Sequence, residues 1–456
     1  MSKLLTKNTS SNQKLLYLIL NHIVRRVAKP SLKAFVYAYI YIVLPKVLGQ
    51  TLSHIKRHKY DTLYPRIKKA MVNALHPRKF PVFSARLIAG INIIEPLMFE
   101  ILKKTKLFNH RSTTNVFVST LISSLLSALL NFPTYQNHII GYDRFNSLDL
   151  TLLVTTRAMD TVFSSEMSKI VPTWLVPYGD GLLFIASSAL IMYSWFFHQD
   201  RLPPAYHQWI TSAANMDHEI YEILKLVKEK KIIYGEPGPY SETLVPYFEK
   251  YGKDPKGAST ATNLPIECEA VHAFTTKNCE LHALWRFYRG FKFAFTVYAP
   301  LNLLLLLIPK KQKMPARLKR ALISSIRSSS FLGAFIGIYW YSVCLARTRL
   351  FPLLAPKVPR TRYDDTIAPA LGALLCGFSS FVETPQRRKE LALFVAPRGL
   401  GTMVPVDATT ENLQIESIVF SISLAILVAY SKSKPSTVRG IFGKGLKQVF
   451  SIDYYK

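Results

Sequence analysis

Four side chains that could bind a metal or form a disulfide lie close together in the chain. Cys268, His272, Cys279 and His282 follow the spacing C-x3-H-x6-C-x2-H. Thiolates and imidazoles are preferred zinc ligands, and four of them can complete a tetrahedral structural site. The spacing matches no standard zinc finger, so a Cys268–Cys279 disulfide and free thiols in ordinary packing stay open. No cofactor is expected from the sequence, and zinc is the metal that this segment could hold.

Six charged residues in apolar runs form a second candidate site. Asp149 and Arg157 stand eight residues apart, and Glu390 and Arg398 repeat this spacing. On a helix the separation is close to two turns, so both charges share one face. The following apolar run also begins near an acid in each half, as Asp180 and Glu416. We expect an intramembrane polar network that pins neighbouring helices, or lines a polar groove for a solute, lipid headgroup or peptide.

Small residues four apart are predicted to let helices pack closely, because backbones can then approach each other in lipid. Ordinary packing within the chain and an oligomer seam are the two interpretations. The residues concerned are Ala85 with Ala89, Gly333 with Gly337, the stripe Ser119, Ser123 and Ser127, and the stripe Ser417, Ser421, Ala425 and Ala429.

The elements that carry these residues are apolar runs of bilayer length. Runs such as 291–308 and 181–197 are nearly free of charge and roughly as long as a transmembrane helix requires. The sequence therefore predicts an all-α polytopic membrane protein. Its net charge of +30 lies mainly in loops beside these runs, which favours anionic lipid headgroups as partners and argues against nucleic acid. No nucleophile–base pair, phosphate-binding glycine loop or H-E-x-x-H motif is present, so no enzyme is predicted.

The apolar runs recur in the same order, which indicates duplication. Five segments, a to e, are followed after a polar insert by a second set, a′ to e′. We predict a basic N-terminal segment (1–30), a first membrane repeat (31–200), the polar insert (201–285), a second membrane repeat (286–448) and a tail (449–456). The segments are a 32–52, b 82–102, c 115–132, d 148–165, e 179–197, a′ 291–308, b′ around 331–337, c′ 366–381, d′ 391–404 and e′ 413–430.

Each repeat is predicted to contain about four transmembrane helices, giving eight to ten in total. Pro45 and Pro300 interrupt a and a′, where a simple spanning helix would least tolerate them. The distribution of Lys and Arg also favours eight crossings, with a and a′ in the interface and both termini on the side of the insert. Ten crossings, with a and a′ spanning, is the alternative.

Three stretches resemble the transmembrane protein 135 family in its fungal form. They are residues 202–210 (LPPAYHQWI), the Cys/His segment from Cys268 to His282, and residues 298–302 (YAPLN). Segments b to e also resemble the four-helix fold of the mitochondrial inner-membrane translocase and peroxisomal membrane protein superfamily. The resemblance implies a mitochondrial or peroxisomal membrane protein linked to lipid handling and organelle shape.

The function expected from these features is transport or organisation of a lipid or hydrophobic solute in an organelle membrane. The alternative is a pore or scaffold subunit for protein translocation or assembly of a membrane complex. An acid-free, basic start to the chain fits a mitochondrial address, and a basic cluster beside an apolar segment also fits a peroxisomal one. Other membrane proteins or a second copy of the chain are the expected protein partners.

Overall fold

The computed structural model describes residues 23–57, 63–105, 113–141, 144–166, 170–214, 216–262, 266–307, 309 and 312–450. Within these ranges the chain forms helices and turns and no strand, which confirms the predicted all-α fold. Most of the basic N-terminal segment and most of the tail lie outside the described residues.

The helices follow the apolar runs closely. In chain order they are α1 Lys29–Arg57, α2 Leu63–Ala74, α3 Phe80–Lys104, α4 Thr113–Ile140, α5 Arg144–Ser165, α6 Gly179–Phe197, α7 Pro204–Ala214, α8 His218–Lys228, α9 Val245–Lys250, α10 Cys268–Val271, α11 Cys279–Leu304, α12 Met314–Leu345, α13 Phe351–Leu354, α14 Arg360–Arg362, α15 Ala368–Cys376, α16 Pro385–Gly401, α17 Thr410–Ser433 and α18 Gly440–Val449. Wider π turns cover Val24–Ala28, Ala346–Leu350 and Tyr363–Ile367, and tighter 3-10 turns cover Val176–Tyr178, Gln199–Arg201, Pro255–Ala258, Leu305–Leu307 and Gly377–Val382.

Eight helices in the described part of the chain are long and apolar enough to cross a bilayer, so the protein is a polytopic membrane protein. The set includes a and a′ but neither d nor d′, which α5 and α16 represent. The eight segments are Val24–Thr51, Phe80–Lys104, Thr113–Ile140, Val176–Phe197, Cys279–Leu307, Met314–Leu354, Arg360–Val382 and Thr410–Ser433.

The predicted interruption of a and a′ by proline is wrong. Helix α1 continues through Pro45, and α11 continues through Pro300. A proline removes one backbone donor, and neighbouring helices and local adjustments can compensate for that loss in a membrane helix. Proline has a larger effect between helices. Pro77 lies in the turn that separates α2 from α3. In the second half, no proline follows Pro315 within α12, which continues as one helix to Leu345.

The described helices form two compact units that divide the chain elsewhere than the sequence repeats do. The first unit contains Met1–Val171 and Pro405–Lys456, and the second contains Pro172–Val404. Helix α17, which is segment e′, therefore packs on α4 and α5 of the first repeat, while α6, which is segment e, packs on α15 and α16 of the second. The two repeats have exchanged their last helices.

Both units repeat the same neighbour relations after this exchange. In the first, α1 packs on α3, α3 on α4, and α4 on α17; in the second, α11 packs on α12, α12 on α15, and α15 on α6. The core of the first unit stacks Phe132 on Phe420 with ring centroids 4.0 Å apart, and Phe83 on Tyr135 at 4.5 Å. The matching neighbour pairs support the predicted duplication.

The polar insert belongs to the second unit and shares its hydrophobic core. Helix α8 of the insert is amphipathic, and its Ile220, Ile223 and Val227 are buried against that core. Asn278 begins the helix after the insert, because its side-chain oxygen accepts a hydrogen bond of 2.9 Å from the backbone N–H of Leu281. The insert is thus packed onto the membrane helices that carry the candidate site.

Candidate functional site

The six charged residues of the predicted intramembrane network divide between the units in an unexpected grouping. Asp149, Arg157 and Glu416 belong to the first unit, whereas Asp180, Glu390 and Arg398 belong to the second. Arg157 is buried and the other five are half-buried. Because the last helices are exchanged, Asp180 of the first repeat is in the same unit as Arg398 of the second repeat. Glu416 of the second repeat is likewise in the same unit as Arg157 of the first.

In the first unit, Glu416 bonds to polar side chains outside the predicted set. One of its oxygens accepts a hydrogen bond of 2.8 Å from the Gln136 amide, and the other accepts one of 3.1 Å from the Thr151 hydroxyl. These partners lie on α4 and α5, so one side chain of α17 ties three helices together. Hydrogen bonds that satisfy a carboxylate offset much of the free energy of burying it.

Buried ion pairs that the sequence analysis did not identify also hold each unit. In the first, Lys432 of α17 pairs with Glu95 of α3, which also accepts a hydrogen bond of 2.7 Å from Thr120. In the second, the Arg347 guanidinium binds both oxygens of the Asp364 carboxylate. Spacing along the sequence does not indicate this pair, because only the fold brings Arg347 and Asp364 together.

The small residues serve packing within the chain. A Cβ added at Gly333 would lie 2.8 Å from the Phe287 carbonyl oxygen, and one at Gly337 would lie 3.2 Å from that of Ala283, so α11 and α12 approach closely there. Ala85 and Ala89 are half-buried on α3, which packs on α1. The two stripes are buried as well, comprising Ser119, Ser123, Ser127, Ser417, Ser421, Ala425 and Ala429.

The second unit contains an apolar cavity of about 220 Å³ that the sequence analysis did not foresee. Helices α6, α7, α11, α12 and α16 surround it, and aromatic rings dominate its lining. Phe184 and Trp195 at its base are only 3% and 2% exposed, whereas Trp209 and Phe394 are 48% and 62% exposed. The cavity thus has a buried floor and an aromatic mouth at the surface of the unit.

A smaller cavity of about 70 Å³, which we call the arginine niche, adjoins the apolar cavity. The two share Ala213, Ala214 and Ile336, and the niche is also lined by Arg286 and Arg289. Arg286 is buried. Its Nη1 donates 3.1 Å to the Ala214 carbonyl and its Nε donates 3.1 Å to His282 Nε2, so the guanidinium is fixed in position.

A third cation lies beside the mouth of the apolar cavity. The Arg398 guanidinium is 5.9 Å from the ring centroid of Tyr206, which is part of the cavity lining. Burial raises the pKa of Tyr206 to about 12, and Arg398 acts in the opposite direction, so the phenol is neutral at physiological pH. One residue of the predicted polar network therefore lies next to the cavity.

The Cys/His segment forms a cluster with one unpredicted member. The ligand atoms of Cys268, His272, Cys279 and Cys344 all lie within 4.8 Å of one another. Cys279 begins α11 and Cys344 lies at the end of α12, so the pairing of these two helices brings the thiols together. The spacing in the sequence indicated His282 instead of Cys344, because only the structure relates residues so far apart in the chain.

A strained turn closes the cluster. Ala273 and Phe274 both have positive φ, at 54° and 53°, which is uncommon for residues other than glycine. The Phe274 ring packs against Phe248 and Tyr251 with centroids 5.0 and 5.4 Å away, and this burial offsets the strain. The turn returns the chain from His272 to Cys279.

The electrostatics of the cluster favour a neutral imidazole and a thiolate. Burial lowers the pKa of His272 below its usual value. A hydrogen bond from the Cys344 thiol and the nearby Arg347 guanidinium lower the pKa of Cys268 to about 6, although burial acts in the opposite direction. Such groups can bind a soft metal ion or react with an oxidant.

No known protein family, curated protein or solved structure matches the chain. The resemblance to the transmembrane protein 135 family therefore stays a prediction. The fold and the cavity define a polytopic helical membrane protein with an apolar site bordered by arginines.

Proposed function

We propose that this membrane protein binds a lipid with an anionic headgroup in its second unit, and that it moves or organises this lipid in an organelle membrane. The observation that supports the proposal is the contact between the apolar cavity and the arginine niche. A lipid with an anionic headgroup needs an apolar site for its acyl chain and a cationic site for its headgroup, close enough for one molecule to occupy both. The shared residues Ala213, Ala214 and Ile336 place them side by side.

The apolar cavity suits an acyl chain. A dry apolar cavity of roughly 150 Å³ already binds a small aromatic molecule, because no polar group there holds water. The cavity in this protein is larger, at about 220 Å³, and its polar groups are one serine and the polar ends of tyrosines and tryptophans. The exposed rings of Trp209 and Phe394 at the mouth would contact the part of the acyl chain that extends out of the cavity.

The arginine niche suits a carboxylate or phosphate. A guanidinium presents a planar fork of donors that fits either anion. Arg286 is held by Ala214 and His282, while Arg289 is exposed and stacks on Trp285 with its guanidinium 4.9 Å from the ring centroid. One arginine is therefore preorganised and the other is accessible from outside.

Photo-crosslinking of purified protein in nanodiscs tests this proposal. A photoactivatable fatty acid and a photoactivatable phosphatidic acid separate a carboxylate from a phosphate headgroup. We expect labelled peptides from α7 and α12, and at least a tenfold loss of labelling in Ala213→Phe, which places a ring between the two cavities. Gln208→Phe on the exposed face of α7 is the matched control and should label normally.

The headgroup site is tested separately. Arg289→Gln should reduce the preference for an anionic over a zwitterionic lipid by about tenfold, the value of one charge-assisted hydrogen bond. Lys292→Gln, one turn along the same exposed face of α11, should leave the preference unchanged. Equal labelling of Ala213→Phe and Gln208→Phe would contradict lipid binding in the apolar cavity. Equal preference for anionic lipid in Arg289→Gln and Lys292→Gln would contradict headgroup binding in the arginine niche.

The proposed organelle is the mitochondrion or the peroxisome. The basic start of the chain and the resemblance to the transmembrane protein 135 family support this part of the proposal. Fractionation of cells that express the untagged chain would test it, and recovery only with secretory membranes would contradict it.

A further inference from the structure

We propose that Cys268, His272, Cys279 and Cys344 bind one zinc ion in a structural site that fastens the polar insert to the ends of α11 and α12. The zinc proposal does not rest on the proposed lipid binding. Its ligands come from three elements: α10 and the turn after it, the start of α11, and the end of α12.

The spacing of the ligand atoms fits a tetrahedral zinc ion. Bonds of about 2.3 Å to sulfur and 2.0 Å to nitrogen place neighbouring ligand atoms about 3.5–3.8 Å apart. All four ligand atoms lie within 4.8 Å of one another, and His272 Nε2 is 3.1 Å from Cys344 Sγ. Side-chain movements of about 1 Å or less would bring the four atoms to bonding distance.

His272 is oriented as a metal ligand. Its Nδ1 lies 2.8 Å from the Thr276 carbonyl oxygen, which can only accept a hydrogen bond. Nδ1 therefore carries the hydrogen, and in the neutral ring the lone pair is on Nε2, which faces the thiols. Metal-bound histidines almost always donate their other N–H to a carbonyl or carboxylate in this manner.

The surroundings suit a closed structural site. His272 and Cys344 are buried, and Cys268 and Cys279 are half-buried. Zinc with three thiolates and one imidazole has one net negative charge. The Arg347–Asp364 pair lies near Cys268, since Arg347 Nη2 donates 2.7 Å to the carbonyl of Ile266. Four protein ligands leave no position for substrate, which is typical of structural zinc.

His282 lies outside this ligand set. Its ring stacks on His272 with centroids 4.1 Å apart, and its Nε2 accepts the hydrogen bond from Arg286. A Cys268–Cys279 disulfide would involve only two of the four side chains. It would not explain why the Cys344 thiol and the His272 Nε2 atom lie beside them. The four-ligand zinc site accounts for all of them.

Metal analysis of the full chain, purified without chelators and then supplied with zinc, tests the site. We expect about one zinc per chain in the wild type and less than a tenth of that in Cys344→Ser. Cys376→Ser is the matched control, because Cys376 is another buried free cysteine of the same unit outside the cluster. His282→Gln should also retain the metal, which separates the proposed set from the one read off the sequence.

A second measurement covers the case in which Cys344→Ser fails to fold. Cobalt added to chelator-treated wild-type protein should give a thiolate-to-cobalt charge-transfer band, and chelation should make residues 266–278 sensitive to protease. Three results would each overturn the proposal. The first is wild-type protein with less than a tenth of an equivalent of zinc and four titratable thiols. The others are a Cys268–Cys279 disulfide in metal-free protein, and equal zinc loss from Cys344→Ser and Cys376→Ser.

Discussion

The Arg347–Asp364 pair shows how single residues stabilise the second unit. Both side chains are almost fully buried, at 5% and 1% exposure. Tyr234 donates a further hydrogen bond of 2.7 Å to Asp364, and Arg347 donates one to the Ile266 carbonyl. Two charges are costly to remove from water, so each is stable there only because the other and these hydrogen bonds are present.

Removing one charge of this pair should be more harmful than removing both. Arg347→Leu is expected to lower the free energy of unfolding by about 3–5 kcal/mol, because Asp364 would be buried without its partner. The double variant Arg347→Leu/Asp364→Leu should be milder. Denaturant unfolding in detergent micelles measures both.

The exposed pair Arg349–Glu280 provides the control for this prediction. Its side chains are 54% and 42% exposed, so solvent screens their attraction. Arg349→Leu should change the free energy of unfolding by less than about 1 kcal/mol. Equal losses in Arg347→Leu, the double variant and Arg349→Leu would show that burial does not control the energy of the pair.

At this scale the sequence could identify candidate residues but not their partners. The local spacing from Cys268 to Cys279 indicated a metal-binding segment, and the structure keeps three of the four proposed residues together. Cys344 could not be found from spacing because it is brought in by helix pairing. The charges of d and e were recognised as a group, yet their assignment to units required the structure.

At the scale of elements, the exchange of last helices is the main departure from the sequence prediction. The apolar runs and their order were predictable because bilayer length and apolar composition define each helix. Equivalent helices of a duplicated chain have similar patterns, so the pattern identifies α6 and α17 as counterparts. It does not say whether each packs on its own repeat or on the other.

Gly399 tests the packing of α6 on α16. A Cβ at this position would lie 2.9 Å from the Cα of Ser187, so the two backbones are in contact. We expect Gly399→Ala to lower the free energy of unfolding by about 1–3 kcal/mol, since the helices must move apart. Thermal unfolding of the detergent-solubilised chain measures the change.

Gly49 is the matched glycine for that experiment. It lies within α1, and a Cβ there meets nothing within 4 Å. Gly49→Ala should stabilise the protein by up to about 1 kcal/mol, because alanine loses less backbone freedom in a helix. Stabilisation by Gly399→Ala of the same size would contradict close contact of α6 with α16.

At the scale of the whole molecule, the eight candidate spans change the expected topology. In the predicted eight-crossing topology, a and a′ lie in the interface because of Pro45 and Pro300, and d and d′ cross the membrane. The helices long and apolar enough to cross include α1 and α11 but not α5 and α16. Helix α5 carries Asp149, Arg157 and Asp160, and these charges lower its suitability for lipid.

The position of α2 relative to the insert distinguishes the possible sets of crossings. If a, b, c and e cross, three crossings separate α2 from the insert, and Lys68 and Tyr240 lie on opposite sides. If b, c, d and e cross, four crossings separate them, and the two positions share a side. Ten crossings also place four between them. Segment a precedes α2 and does not enter this count, so Lys68 and Tyr240 are separated only if d does not cross.

Labelling of single cysteines introduced at these two exposed positions should therefore give opposite results in sealed vesicles of one orientation. We expect a membrane-impermeant maleimide to modify only one of Lys68→Cys and Tyr240→Cys before permeabilisation, and both afterwards. The parent chain corrects for reaction of Cys268 and Cys279, which are half-buried. Modification of both positions from the same side would contradict a topology without crossing by α5, because an even number of spans would then separate α2 from the insert.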